Sequence, residues 1–341
     1  MLCRIKRFLP YFFRLVLTLF VIAVICYGFE KKLGQQEDIL GQIKTHFQHI
    51  HFGWFSLALS IYFVYSFISA YRIALLTWSH DIPISYNKLL KNIYIGYLFN
   101  LFLMGSTGGD VIRSYYLTKE TGKKTEVVTV VFLDRLLGMA VMVSLAIMAL
   151  IFNFNEPKLR FLITGVLSLF FIMMVVILFF SSRRIMKRFA FLIPLLDKLK
   201  IKEIAIKTFE TLNQTKKRKK VLIGVIISTL IIQSLAIVSV WLVSLSMMKI
   251  HFIPLRYFFL FLPVIYTISS VPISVGGLGV GEALFAGLFA IVGVNQVDAI
   301  SISLLSRSIL IIGALVGAVI YLLPSTVPYS EEEKEQMGVC C

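Results

Sequence analysis

The chain has 341 residues, of which 58% are hydrophobic and 15% charged. Apolar runs long enough to cross a bilayer recur along its whole length, which excludes an ordinary soluble fold. The formal net charge of +16 would suit nucleic acid, but Lys and Arg fall mainly in short connections between apolar segments. There they fix membrane orientation, and no nucleic-acid partner is expected.

Arg4, Lys6 and Arg7 precede an apolar run at 8–29. The layout is that of a signal sequence, yet no small-x-small cleavage site precedes Glu30 and more spans follow, so an uncleaved first helix is expected. Further full-length spans are expected at 52–78, 127–152, 161–180, 221–247 and 300–323, giving six crossings. His46, His49 and His51 fall between the first two spans and read as part of a solvated polar loop rather than a metal site. Cys3, Cys26, Cys340 and Cys341 have no metal-ligand spacing, and no metal or cofactor is expected.

Two more apolar regions, 93–117 and 253–294, are interrupted by glycine-rich breaks, the first at Gly105 and Gly108-Gly109, the second from Pro272 through Gly276, Gly277, Gly279 and Gly281. Neither can be one smooth helix, because Gly and Pro in the interior free backbone groups that lipid does not satisfy. The stretch 181–220 holds thirteen Lys or Arg against Asp197, Glu203 and Glu210, so it is expected on the cytoplasmic side. Counting outwards from it, the first broken region starts and ends inside and the second starts and ends outside. The limb at 93–104 would be about 18 Å long at 1.5 Å per residue, too short for a core of about 30 Å. Re-entrant hairpins entering from opposite faces are therefore expected at 92–118 and 253–294. They belong to a single polytopic membrane domain at 1–325, with a short acidic cytoplasmic tail at 326–341.

The hairpins share a pattern of apolar limb, glycine break, acidic residue, apolar limb, loop, and a helix with an arginine in its first half. Asp110 precedes Arg135 by 25 residues, and Glu282 precedes Arg307 by 25. Two such units of opposite orientation point to an inverted repeat with a binding site near the midplane. Asp134, Arg135 and Arg307 fall within apolar spans, where a central charge costs about 2.5–3.5 kcal/mol and needs partners or water. Neighbours on a helix do not face each other, so Asp134 and Arg135 should each find a partner elsewhere, for instance Asp110 or Glu282. Guanidinium forks suit phosphate, and the open amides of a Gly-rich break add anion donors. The bland alternative is ion pairs that merely pin the hairpins. Arg113 either joins the site or snorkels to the cytoplasmic interface.

The motifs Gly108-Gly109-Asp110-x-x-Arg113, Asp134-Arg135-x-x-Gly138 and Pro272-x-Ser274-x-Gly276-Gly277-Leu278-Gly279-x-Gly281-Glu282, with Arg307 downstream, resemble the transmembrane domain of lysylphosphatidylglycerol synthases and its stand-alone bacterial relatives. The resemblance covers nearly the whole chain. It implies a flippase-type domain in the bacterial cytoplasmic membrane, with both termini cytoplasmic, that moves a lipid or lipid-linked substrate at Asp110, Arg113, Asp134, Arg135, Glu282 and Arg307. Membrane lipids, a second copy of the chain and a separate lipid-synthesising enzyme are the partners it suggests. Full synthases carry a soluble aminoacyl-transferring domain after the membrane part, and the eighteen residues after Leu323 leave no room for one, so no lipid aminoacylation is expected of this chain alone.

Phosphate-loop, zinc-protease and nucleophile-elbow motifs are absent from the sequence. The rival readings are a membrane-embedded lipid-modifying enzyme, with Asp110, Asp134 or Glu282 in acid/base work, and a scaffold whose basic run at 216–220 grips anionic lipid or a soluble partner.

Overall fold

The computed structural model describes residues 37–101, 108–152, 160–181, 209–211, 214–215, 218–248, 250–270 and 279–322. The expected first span at 8–29, most of the basic stretch at 181–220, the tail at 326–341, and Pro272, Gly276 and Gly277 lie outside them.

Ten helices account for nearly all of the described chain. They are α1 (Glu37–Gln48), α2 (Phe52–Ser79), α3 (Tyr86–Asn100), α4 (Gly108–Thr121), α5 (Lys124–Phe152), α6 (Arg160–Ser181), α7 (Lys219–Ser246), α8 (Leu255–Ser269), α9 (Val280–Ile291) and α10 (Gln296–Leu322). Among the described residues the only β-type pairing is an isolated bridge between Ile50 and Met247. Helices α2, α5, α7 and α10 are long and apolar enough to cross a membrane; at 1.5 Å per residue their 27–29 residues span about 40 Å. The protein is an all-α membrane protein.

Helices α3 and α4 occupy the first broken region, and α8 and α9 the second. The first limb runs over Tyr86–Asn100 rather than 93–104, with Ser85 at its N-cap. Hydropathy placed its start too late because the opening turns carry Asn87, Lys88, Lys91 and Asn92. One of these, Asn92, is buried and donates to the Arg113 carbonyl of α4 at 3.1 Å. The short limbs of the second region lie where expected, and α8 tolerates Pro263 in its interior, within an apolar buried surround.

The packing is duplicated. Setting α2 to α5 against α7 to α10, the α2–α3, α3–α4, α4–α5 and α2–α5 contacts reappear as α7–α8, α8–α9, α9–α10 and α7–α10. The cross-contacts match as well: α3 packs on α10 as α8 packs on α5, and α2 meets α10 as α7 meets α5. The most extensive interface, α2 on α7, joins the two units along their shared axis. Close approach helps set this arrangement. A Cβ on Gly317 of α10 would lie 2.0 Å from the Tyr94 carbonyl oxygen of α3, so Gly317 lets these two helices approach closely, while Gly313 four residues earlier leaves room for the Tyr62 ring of α2.

The main core lies among α2, α5, α7, α8, α9 and α10, around Tyr62, Phe258, Phe261 and Phe289, and a second cluster lies under the α2–α3 connection around Ile73, Leu76, Ile82 and Leu89. Exposed apolar side chains such as Phe67, Val64, Ile151, Ile227 and Val319 face outwards, as expected of helices solvated by lipid tails.

Candidate functional site

In the first unit, α4 starts at Gly108 and carries Asp110 as its third residue. A carboxylate in the first turn is stabilised by the helix dipole. Arg113, one turn on, donates from Nη1 to Asp110 Oδ1 at 3.1 Å, and Arg135 of α5 brings its Nη1 to 3.8 Å from Asp110 Oδ2. The Arg113 side chain is only 12% exposed and lines the cavity described below. The hairpin closes tightly behind this group. A Cβ on Gly109 would stand 2.2 Å from the Gly96 carbonyl oxygen of α3, and the Gly109 amide donates to Asn100 Oδ1 at 2.7 Å.

The second unit repeats the layout with different tightness. Glu282 is the third residue of α9, as Asp110 is of α4, and Arg307 is the twelfth of α10, as Arg135 is of α5. The equal spacing of 25 residues thus reflects equal places in two matching helix pairs. Arg307 Nε donates directly to Glu282 Oε1 in a close contact, while Glu282 Oε2 accepts the Gly279 amide at 2.6 Å. Glu282 is therefore both an ion-pair partner and the cap of its own helix. Gly281 leaves space for the guanidinium, whose Nη2 would lie 3.2 Å from a Cβ there.

Asp134 turns away from this pairing. Its partner is Arg72 of α2, which places Nε 2.7 Å from Oδ1 and Nη2 2.8 Å from Oδ2, and sends Nη1 to Thr229 Oγ1 of α7 at 3.3 Å. The Nη2–Oδ2 contact is a charge-assisted hydrogen bond, the strong form of the interaction, while Nε and Oδ1 lie close without forming one. Both side chains are buried, 9% and 7% exposed, so this pair ties α2, α5 and α7 together. Arg72 escaped the sequence reading because it sits inside the apolar run at 52–78; a lone arginine in the second half of a spanning helix was the available signal.

These groups meet at one cavity of about 350 Å³ between the two units. Arg72, Asp110, Arg113, Asp134, Arg135 and Arg307 all line it, with Gly138 and Gly281; Glu282 stands behind Arg307. Four arginines against the carboxylates of Asp110, Asp134 and Glu282 leave a formal surplus of one positive charge. The surplus thus favours an anion. Each carboxylate engages an arginine.

Of the three histidines expected in a polar loop, His49 and His51 are exposed and outside the helices, while His46 is not. His46 lies on α1, with Nε2 3.6 Å from Asp298 Oδ1 and Nδ1 3.3 Å from Ser301 Oγ on α10, and His51 is the N-cap of α2. Among the described residues no group of three or more His, Cys, Asp or Glu is placed to hold a metal ion.

Comparison with known proteins agrees with this architecture. A UPF0104 membrane protein of Pyrococcus horikoshii is 24% identical over 294 residues, which cover 77% of this chain and 87% of that protein. The family model described as the lysylphosphatidylglycerol synthase TM region matches residues 11–317, taking in both units, both glycine breaks and every charged residue of the cavity. The chain belongs to that family.

Proposed function

We propose that this protein is a lipid transporter of the flippase type, which binds the phosphate of an anionic lipid at Arg113 and Arg135 and passes the head group between leaflets through the cavity. The observation that carries this reading is the convergence of four arginines from both units on one cavity with a surplus of positive charge. Charges placed at such depth in apolar helices are functional candidates by default. The duplicated packing adds a means of movement. With the two broken regions entering from opposite faces, as the basic loops suggest, motion of one unit against the other would open the cavity to each leaflet in turn.

In this reading the chain works in the bacterial cytoplasmic membrane with both termini inside, takes its cargo from the membrane lipids, and serves a separate lipid-synthesising enzyme. The test is leaflet transfer. Reconstituted into vesicles with a fluorescent phospholipid in one leaflet, wild-type protein should speed its appearance in the other, and Arg135→Ala should abolish the gain while the protein remains folded. Equal transfer by wild type, Arg135→Ala and empty vesicles would overturn the proposal.

A further inference from the structure

The two units contribute different chemistry to the same cavity. From the first come five charged side chains, Arg72, Asp110, Arg113, Asp134 and Arg135, with the phenols of Tyr62 and Tyr65 but no serine or threonine. From the second come Ser239, Thr267, Ser269, Ser270, Ser303 and Ser306, with the phenol of Tyr266 and Arg307 as the one charged residue. The difference reaches equivalent positions, since Ser306 stands 172 residues after Asp134, the same offset that relates Arg307 to Arg135.

The hydroxyl protons on this wall are largely spent. Ser239 donates to the Ala58 carbonyl at 2.9 Å, Thr267 to Pro263 at 2.6 Å, Ser270 to Thr267 at 2.7 Å and Ser306 to Ile302 at 2.7 Å. What these oxygens still offer the cavity is lone pairs, so they call for a ligand that donates. Ser269 Oγ is buried with no hydrogen-bond partner among the described residues, a state that a bound donor or acceptor would relieve. An ammonium would also donate, but it would want a carboxylate, and all three carboxylates here are engaged by arginines. Neutral hydroxyl groups meet the same lone pairs without that need.

Resting on the flippase reading, we propose that the cargo is a lipid whose phosphate carries a sugar-sized polyol, with the phosphate at Arg113 and Arg135 and the polyol hydroxyls against the serines of α8 and α10. A volume of about 350 Å³ falls within the usual range of small-molecule sites, roughly 300–1,000 Å³, and accommodates a six-membered ring with its phosphate. Phosphatidic acid would fill only the charged end.

The experiment measures lipid retained by the full-length protein in mild detergent, by mass spectrometry, after exposure to equal amounts of phosphatidylinositol, phosphatidic acid and phosphatidylethanolamine. Wild type should hold phosphatidylinositol about tenfold over phosphatidic acid, the worth of one or two net hydrogen bonds, and the Ser269→Ala, Ser303→Ala double variant should bring that ratio to near one. Equal retention of phosphatidylinositol and phosphatidic acid by wild type, with both lost in Arg135→Ala, would overturn the polyol assignment and leave the anionic-lipid reading standing. Preference for phosphatidylethanolamine, or no retention of any lipid, would overturn both. Displacement of the lipid by soluble inositol 1-phosphate would keep the recognition chemistry and overturn the lipid as its source.

Discussion

The Asp110 and Glu282 sites occupy the same place in two matching units, yet one is loose and the other closed. Around Asp110, two arginines approach a single carboxylate, one at 3.1 Å and one at 3.8 Å, and Arg135 keeps 31% of its side chain exposed. Around Glu282, one arginine and one backbone amide take up both carboxylate oxygens, and the pair is 17% and 14% exposed. A guanidinium held loosely beside a shared carboxylate can turn to an incoming phosphate at little cost, whereas breaking the Glu282 pair would strand a buried charge. Under the proposed function, duplication of the frame would let one copy hold the structure while the other meets cargo.

The largest effect should fall on the buried pair inside the first unit, whose arginine also reaches Thr229 of the second. Arg72→Ala leaves Asp134 buried without its ion-pair partner and should lower stability by about 3–5 kcal/mol, read as a drop in thermal midpoint in detergent. The double variant Arg72→Met, Asp134→Leu should recover most of it, since apolar residues of similar volume replace such pairs well. An unshifted midpoint in Arg72→Ala would mean that the pair carries no structural load.

The next test sets the two copies against each other. Arg307→Ala should cost about 2–3 kcal/mol, because Glu282 keeps only its amide. Arg135→Ala should cost less than about 1 kcal/mol, as expected of a partly exposed and distant pair, while retained anionic lipid falls about tenfold, roughly the loss of one charge-assisted contact. If the two variants exchange these outcomes, the assignment of roles is reversed.

The glycines should show the opposite asymmetry on a smaller scale. At Gly109 a methyl group meets the Gly96 backbone oxygen at 2.2 Å, which cannot retreat without moving the hairpin, so Gly109→Ala should cost about 1–3 kcal/mol. At Gly281 the obstacle is the mobile end of Arg307 at 3.2 Å, and the alanine variant should lose less than half as much. Equal midpoints for the two variants would break the comparison.

Much of this frame was legible because it depends on order and spacing. Two glycine breaks, an acid after each and an arginine 25 residues on marked the residues that meet, Asp110 with Arg135 and Glu282 with Arg307, although the sequence offered Asp110 or Glu282 only as alternative partners for Asp134 and Arg135. Partners contributed by distant helices were not legible. Nothing local in the run around Arg72 says that it faces Asp134 across an interface 62 residues away; that choice is made by the packing of α2 on α5. The start of α3 was missed for a related reason, since polarity suggested surface while Asn92 is buried against the backbone of α4. The serine wall carried no signal of its own, because single serines scattered through apolar helices acquire meaning only when folding gathers them.

The smallest effect concerns the ends of the two helices that join the units. Helix α7 ends at Met247, which does not titrate, but α2 ends at His80, whose Nε2 lies 2.9 Å from Thr215 Oγ1 and whose Nδ1 lies 3.3 Å from Gln214 Oε1. Burial lowers the His80 pKa below its ordinary 6.5, with Gln214 acting in the opposite direction and Arg218 reinforcing the decrease. The unfolded chain therefore binds a proton more readily than the folded one between the lowered value and 6.5. The contribution of His80 is fully present above pH 6.5 and is lost as pH falls through the folded value. Thermal midpoints measured from pH 7.5 down to pH 5 should fall in wild type and fall less in His80→Gln. Identical pH profiles for the two proteins would remove His80 from the account and leave the first unit's joining helix as insensitive to acid as the second's.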